Sequence, residues 1–253
     1  MAAMDEWLEP LIALARSAGR VVMEVYAAGF TVQHKADASP VTEADLRAEA
    51  VVVDGLRVLA PDIPVIGEEA VAAGLAPAPG ERFWLVDALD GTREFVQRNG
   101  EFTVNIALVV RGAPVLGVVL APALDRLFAG VVGSGAFEIG AAGRRAIRCR
   151  RPPPEGLHVL ASRSHGDAAA LAAFLADRRV ASISHAGSSI KLCRVAAGEA
   201  DLYPRLGRTM EWDIAAGHAV LAAAGGSVND LAGASLRYGK RGFENPHFVA
   251  SGL

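Results

Sequence analysis

Apolar side chains at Leu8, Leu11, Ile12, Ala15, Ala18, Val22 and Val25 recur three and four positions apart, which predicts that the chain opens with an amphipathic helix. Residues 30–35 read as a short extended piece and 37–41 as a loop. A second helix is expected to start near Thr42, where Thr42-x-x-Asp45 has the form of a capping box. It passes through Leu46, Ala50, Val53 and Leu56 to about residue 59, before Pro61. Short apolar runs then replace the helical period. Strands are predicted at 63–66 and 83–86, with a Gly/Ala/Pro loop over 71–81 between them. Runs at 103–110 and 114–120 flank Arg111-Gly112-Ala113 as a hairpin, and 127–132 and 136–139 extend the meander.

Residues 148–156, with Pro152-Pro153-Pro154, form the one clear compositional break. Beyond it the pattern alternates: strand 157–161, helix 167–175, strand 182–184, helix 189–197, strand 201–203. A last helix runs from 211 or 212 to 224 and is closed by Gly225-Gly226. The expected architecture is a layered α+β sandwich in two halves. Residues 1–150 would carry a larger antiparallel sheet, and residues 151–253 a smaller mixed one.

With 253 residues, 52% of them hydrophobic, the chain can bury a large core. A net charge of −3 with interspersed signs argues against a nucleic-acid polymer as partner. Cys149 and Cys193 lack metal-ligand spacing and read as reduced thiols. Residues 1–9 include Asp5 and Glu6 and lack the apolar core of a signal peptide. No apolar run approaches about 18 residues, so no membrane span is expected. These features predict a cytoplasmic protein, with room for peripheral attachment to the inner membrane, acting as a monomer or homodimer.

Chemistry concentrates in Trp84-Leu85-Val86-Asp87-Ala88-Leu89-Asp90-Gly91-Thr92. An apolar strand ends in two carboxylates three residues apart, which is costly unless a cation or proton neutralises them. Gly91-Thr92 offers amides and a hydroxyl suited to a phosphate. Asp45, Glu68 and Asp213 also stand where structure breaks. Each has a plain alternative: a capping acid, a solvated loop residue and a helix-dipole partner, respectively. With only oxygen ligands in view, a hard ion such as Mg²⁺ fits better than Zn²⁺.

Three segments together are similar to the signatures of the inositol monophosphatase superfamily. They are Gly67-Glu68-Glu69, Asp87-Ala88-Leu89-Asp90-Gly91-Thr92, and Trp212-Asp213-Ile214-Ala215-Ala216-Gly217 with Ala224-Gly225-Gly226. That family comprises Mg²⁺-dependent, lithium-sensitive phosphomonoesterases. Residues 35–42, Glu94-Phe95, 98–105, Ser162-Arg163-Ser164-His165, 187–191 and Tyr203-Pro204-Arg205 most resemble its bacterial 3′(2′),5′-bisphosphate nucleotidases of the CysQ type. These release the 3′-phosphate of adenosine 3′,5′-bisphosphate, a by-product of sulfate assimilation. The resemblance implies a first Mg²⁺ on Glu68, Asp87 and the Leu89 carbonyl. It implies a second on Asp87, Asp90 and Asp213, and a weaker third touching Glu68. It also implies that Thr92, polarised by Asp45, orients the attacking water, and that the Gly91 and Thr92 amides receive the phosphate. Ala88 stands where the family usually has Pro, which loosens the turn without removing a ligand. Glu69 receives no role.

Substrate choice is expected from the second half. Inositol-type members carry an acid where this chain has Arg205, and a cation there suits a second phosphate. Ser188 and Lys191, one turn apart at an expected helix start, would join Arg205 around a 5′-phosphate, and His165 would contact adenine. The plain alternatives are a solvated lysine, a surface ion pair and an unliganded loop histidine. The rival readings are an inositol or broad sugar-phosphate phosphatase, which the loop 67–74 resembles, and an inert phosphate-binding regulator.

Overall fold

The computed structural model describes residues 2–34, 40–164 and 166–253. The first half contains α1 (Ala2–Ala28), β1 (Gln33–His34), β2 (Pro40–Val41), α2 (Glu43–Leu59), β3 (Val65–Gly67), α3 (Glu68–Ala72), β4 (Arg82–Asp90) and α4 (Thr92–Val96). The meander follows as β5 (Thr103–Val110), β6 (Ala113–Ala121), β7 (Arg126–Val131), β8 (Gly135–Gly140) and β9 (Gly143–Ile147). The second half contains β10 (Leu157–Ser162), α5 (Ala168–Leu175), β11 (Val180–Ala186), α6 (Ile190–Ala196), β12 (Leu202–Arg205), α7 (Glu211–Ala223), β13 (Ser227–Asp230) and β14 (Phe248–Ser251).

Strands β3 to β9 form a seven-stranded sheet in sequence order, antiparallel except for β3 beside β4. The smaller sheet runs β11-β10-β12-β14-β13 and is mixed. The central strands of the large sheet are apolar on both faces because both faces are covered. Trp84 and Val86 join the core under α1 and α2, with Leu11 and Val52. Phe83 and Leu85 point the other way, to Leu192 of α6 and Val220 of α7. That second core continues into the small sheet through Leu160 and Phe248. α5 closes the far side with Leu175 against Val159 and Leu202. The layers are therefore α, β, α, β, α, a layered sandwich with a larger, mostly antiparallel sheet and a smaller mixed one, as expected.

The middle helical layer sits close to the large sheet because its contact residues are small. A Cβ placed on Gly117 of β6 would come within 2.2 Å of the Ala216 carbonyl oxygen of α7. The hairpin turn is as expected, with Arg111 and Gly112 both at positive φ (50° and 73°).

Several expectations need correction. The buried face of α2 is Ala44, Ala48, Val52 and Leu56, whereas Leu46 is 57% exposed. Thr42 and Asp45 do form the capping box, and that cap turns Asp45 and Glu49 inward. Residues 71 and 72 lie in α3 rather than in a loop, and β4 extends through both acids to Asp90. β9, β13 and β14 gave no expected strand. The first is a charged edge strand, and the other two are four residues each.

His218 on α7 is buried, with Nδ1 2.8 Å from the Tyr238 hydroxyl. Burial lowers its pKa from 6.5 to about 4. The unfolded chain binds this proton first as pH falls, so the stability is full above the ordinary pKa and is lost on descent through the folded one. Between pH 7 and pH 4 the stability of wild type relative to His218→Gln should fall by about 3 kcal/mol, read from urea unfolding. A pH-independent difference would contradict this.

Candidate active site

The acids converge on one cleft of about 670 Å³, between the end of β4, α3, the turn before α6, β12 and the start of α7. Carboxylate oxygens of Glu68, Asp87 and Asp213 lie within 4.8 Å of one another. Asp90 lines the same cleft, although it is outside that closest trio. Three of these acids share a device. Each gives one oxygen to a backbone N–H and leaves the other for the cleft. Leu89 N donates to Asp87 Oδ1 (3.0 Å), Ser189 N to Asp90 Oδ2 (2.5 Å) and Met210 N to Asp213 Oδ2 (2.8 Å).

Local structure explains the placement. β4 is bulged between Asp87 and Asp90, so three residues of β4 span two of β5 and both acids stay paired, Asp87 with Asn105 and Asp90 with Thr103. Gly91 follows at φ 92°, a left-handed conformation that opens α4 at Thr92. Glu68 begins α3, and the buried Glu49 anchors that helix by accepting from the amides of Glu69 (2.9 Å) and Ala70 (2.9 Å). Gly67 permits this, since a Cβ there would meet the Glu49 carboxylate at 2.5 Å. Sequence reading missed Glu49, although it stands one helical turn beyond Asp45 on the same inward face.

Electrostatics show what the cluster lacks. Burial, then repulsion from Glu68, Asp90 and Asp213, raises the Asp87 pKa well above the carboxylate range. Burial, then Asp90 and Glu68, does the same to Asp213. Asp90 is pushed up to about 6 by burial, against the opposing pull of Lys191 and the Ser189 amide. An all-oxygen cluster that would otherwise take up protons is well matched to a hard divalent cation.

Beside the acids, Thr92 Oγ1 donates to Asp45 Oδ1 at 3.0 Å, with the Leu89 carbonyl at 3.3 Å as a second acceptor. Asp45 Oδ2 is held by the Thr42 amide (2.7 Å) and hydroxyl (2.8 Å). Two cations line the same cleft. Arg205 is buried and bonds Ser162 Oγ (2.9 Å) and the Arg208 carbonyl (2.6 Å), and its Nε has no acceptor among the described residues. It is not a surface ion pair.

Lys191 is likewise buried rather than solvated. It donates to the carbonyls of Ala186 (3.1 Å) and Ser188 (2.5 Å), and burial, helped by Arg205, lowers its pKa to about 8. α6 begins at Ile190, one residue later than expected, and Ser188 before it has φ 41°. Trp212 also lines the cleft and packs on Phe243 at 5.7 Å. Arg208 and Thr209 line it too, and nothing in the sequence pattern singled them out. His165 and residues 35–39 lie outside the described residues.

The model of the inositol monophosphatase family matches residues 3–251. The chain belongs to the inositol monophosphatase family. Relatives include the 3′(2′),5′-bisphosphate nucleotidase CysQ of Escherichia coli O157:H7, 48% identical over 248 residues, or 96% of this chain and 99% of that one. The same-named protein of Aggregatibacter actinomycetemcomitans is 36% identical, over 96% and 91%. Among solved family structures, CysQ from Bacteroides thetaiotaomicron superposes with a TM-score of 0.80 at 34% identity, covering 96% of both chains. The inositol monophosphatase of Anabaena superposes at 0.78 and 25%, covering 99% of this chain and 92% of that one. The family is metal-dependent, in keeping with the carboxylate cluster. No helix among the described residues is long and apolar enough to cross a membrane.

Gly67→Ala should displace Glu49 and with it the start of α3 and Glu68. The Mg²⁺ concentration giving a half-maximal rise in melting temperature should increase about tenfold or more, as expected for lost charge-assisted hydrogen bonds. An unchanged midpoint would disconnect Glu49 from the cluster.

Proposed function

We propose that this chain is a Mg²⁺-dependent 3′(2′),5′-bisphosphate nucleotidase that hydrolyses adenosine 3′,5′-bisphosphate to AMP and phosphate. The observation that carries this reading is Arg205, a buried cation lining the same cleft as the acids, whose Nε has no acceptor among the described residues. A buried guanidinium without a carboxylate among its described partners favours an anionic ligand, and the acids already account for one phosphate through their cations. The relatives named for this activity share nearly the full length of the chain.

Glu68, Asp87 and the Leu89 carbonyl would hold one Mg²⁺. Asp87, Asp90 and Asp213 would hold a second, and Glu68 would reach a third. When bound, such ions neutralise the transferring phosphoryl group and acidify the attacking water. Asp45, fixed by Thr42, takes the hydrogen bond of the Thr92 hydroxyl. The Thr92 oxygen is then free to accept from water and aim it at phosphorus. The Gly91 and Thr92 amides receive the scissile phosphate. A water oxygen bonds to phosphorus while the bond to the 3′ oxygen breaks, and the ribose leaves as the alcohol. Ser188, Lys191 and Arg205 bind the 5′-phosphate, with His165 toward the base. On this reading residues 1–150 supply most of the cation site, and residues 151–253 complete it and choose the substrate.

With Mg²⁺, kcat/KM for adenosine 3′,5′-bisphosphate should exceed that for inositol 1-phosphate by at least about tenfold, and lithium should inhibit. The reverse order would make the chain an inositol-type phosphatase. Arg205→Ala should raise KM for the bisphosphate roughly 10- to 100-fold, the weight of a lost charged hydrogen bond, with little effect on inositol 1-phosphate. Equal effects would remove Arg205 from the subsite. Asp90→Asn should abolish turnover of both substrates, and retained turnover would refute the cation scheme.

A further inference from the structure

Thr103 and Asn105 of β5 are polar where the same face of the strand is otherwise apolar, with Ala107 and Val109 next along it. They are the register partners of the two acids: Thr103 lies opposite Asp90 and Asn105 opposite Asp87. Both are buried, and both meet Ser189 from the turn before α6, which is 3% exposed. Ser189 Oγ donates to Asn105 Oδ1 at 2.6 Å, and Asn105 Nδ2 donates to Thr103 Oγ1 at 3.3 Å. The two hydroxyl oxygens are 2.8 Å apart. The Ser189 proton is already committed to Asn105, so the proton between the hydroxyls comes from Thr103, whose hydroxyl also has Asp90 Oδ2 as a more distant acceptor at 3.4 Å. Every bond then runs in one direction around a closed ring of three side chains.

A satisfied buried polar ring fixes geometry more tightly than an apolar contact of the same size would. This one joins the large sheet to the turn carrying Ser188 and Lys191. Its Ser189 member also sends its backbone N–H to Asp90 Oδ2. Lys191 in turn ties the Ala186 and Ser188 carbonyls together. The scissile-phosphate end at Asp90 and the second anion end at Ser188 and Lys191 are thus locked to one another through uncharged side chains.

We propose that Ser189, Thr103 and Asn105 are positioning residues that set the span between the two phosphates the cleft accepts, and so its preference for a bisphosphate over a monophosphate. The inference rests on the nucleotidase reading above. Ser189→Ala keeps the Ser189 amide on Asp90 but lets the second anion subsite drift, so the loss falls on the substrate that uses both ends; Thr103→Val also loses the contact to Asp90 Oδ2, which both substrates share, so the ratio between them is what reports the ring.

The test compares adenosine 3′,5′-bisphosphate with adenosine 3′-monophosphate. Ser189→Ala and Thr103→Val cut the ring from opposite sides, and Thr103→Ser keeps its hydroxyl. In the first two the ratio of kcat/KM for bisphosphate over monophosphate should fall about tenfold, mainly through the bisphosphate KM, while Thr103→Ser keeps the wild-type ratio. AMP binding to metal-free protein, read by calorimetry, should weaken by a similar factor in the same two variants. A general loss of structure would lower both substrates together and would not be rescued by the hydroxyl. If wild type prefers the bisphosphate and both cut variants keep that ratio, the ring is not a span-setter. If wild type shows no such preference, the nucleotidase reading falls and this inference with it.

Discussion

The repulsion among Glu68, Asp87, Asp90 and Asp213 is the constraint to which the rest of the molecule answers. Carboxylates crowded at one end of a cleft cannot all keep their charge without a counter-ion, and the raised pKa values of Asp87, Asp90 and Asp213 express that. The fold holds them there regardless. The β4 bulge, the Glu49 anchor of α3, the Ser189 amide and the cap of α7 each restrain one member. Because those restraints come from four separate chain segments, the cluster exists only when both sheets are in place.

The cleft is bipolar. The acids share it with the buried cations Arg205 and Lys191. Such a lining suits a ligand with two anionic ends that need different treatment: one through cations and one through direct hydrogen bonds. A ligand with one phosphate and neutral hydroxyls would leave the Arg205 side unanswered.

Much of this was legible in the sequence, for physical reasons. Asp87-Ala88-Leu89-Asp90-Gly91-Thr92 breaks an apolar strand so abruptly that its chemistry shows without a structure. The Thr42–Asp45 capping box, the 103–120 hairpin and a pair of sheets with helix layers follow from residue period and turn chemistry. What stayed hidden depends on long-range contact. Glu49 reads as an ordinary helix acid until α3 is seen resting on it. Lys191 and Arg205 were expected to face the ligand, but their burial and their bonds to backbone carbonyls come from packing of α6 and β12. The inward face of α2 is offset from Leu46, Ala50 and Val53 because its buried apolar stripe, Ala44, Ala48, Val52 and Leu56, consists partly of alanines and shares that face with the polar Asp45 and Glu49. β13 and β14 are too short to carry a period.

Trp212 gives the molecule an optical property that its chemistry does not require. The other two tryptophans, the partly buried Trp7 and the fully buried Trp84, lie against each other at 5.6 Å in the core under α1 and α2, and neither lines the cleft. Trp212 stands alone on the cleft wall, directly before Asp213. Its indole therefore reports on the charge of the cleft, against a background from a pair that does not line it. The unlabelled protein carries its own fluorescence gauge of occupancy.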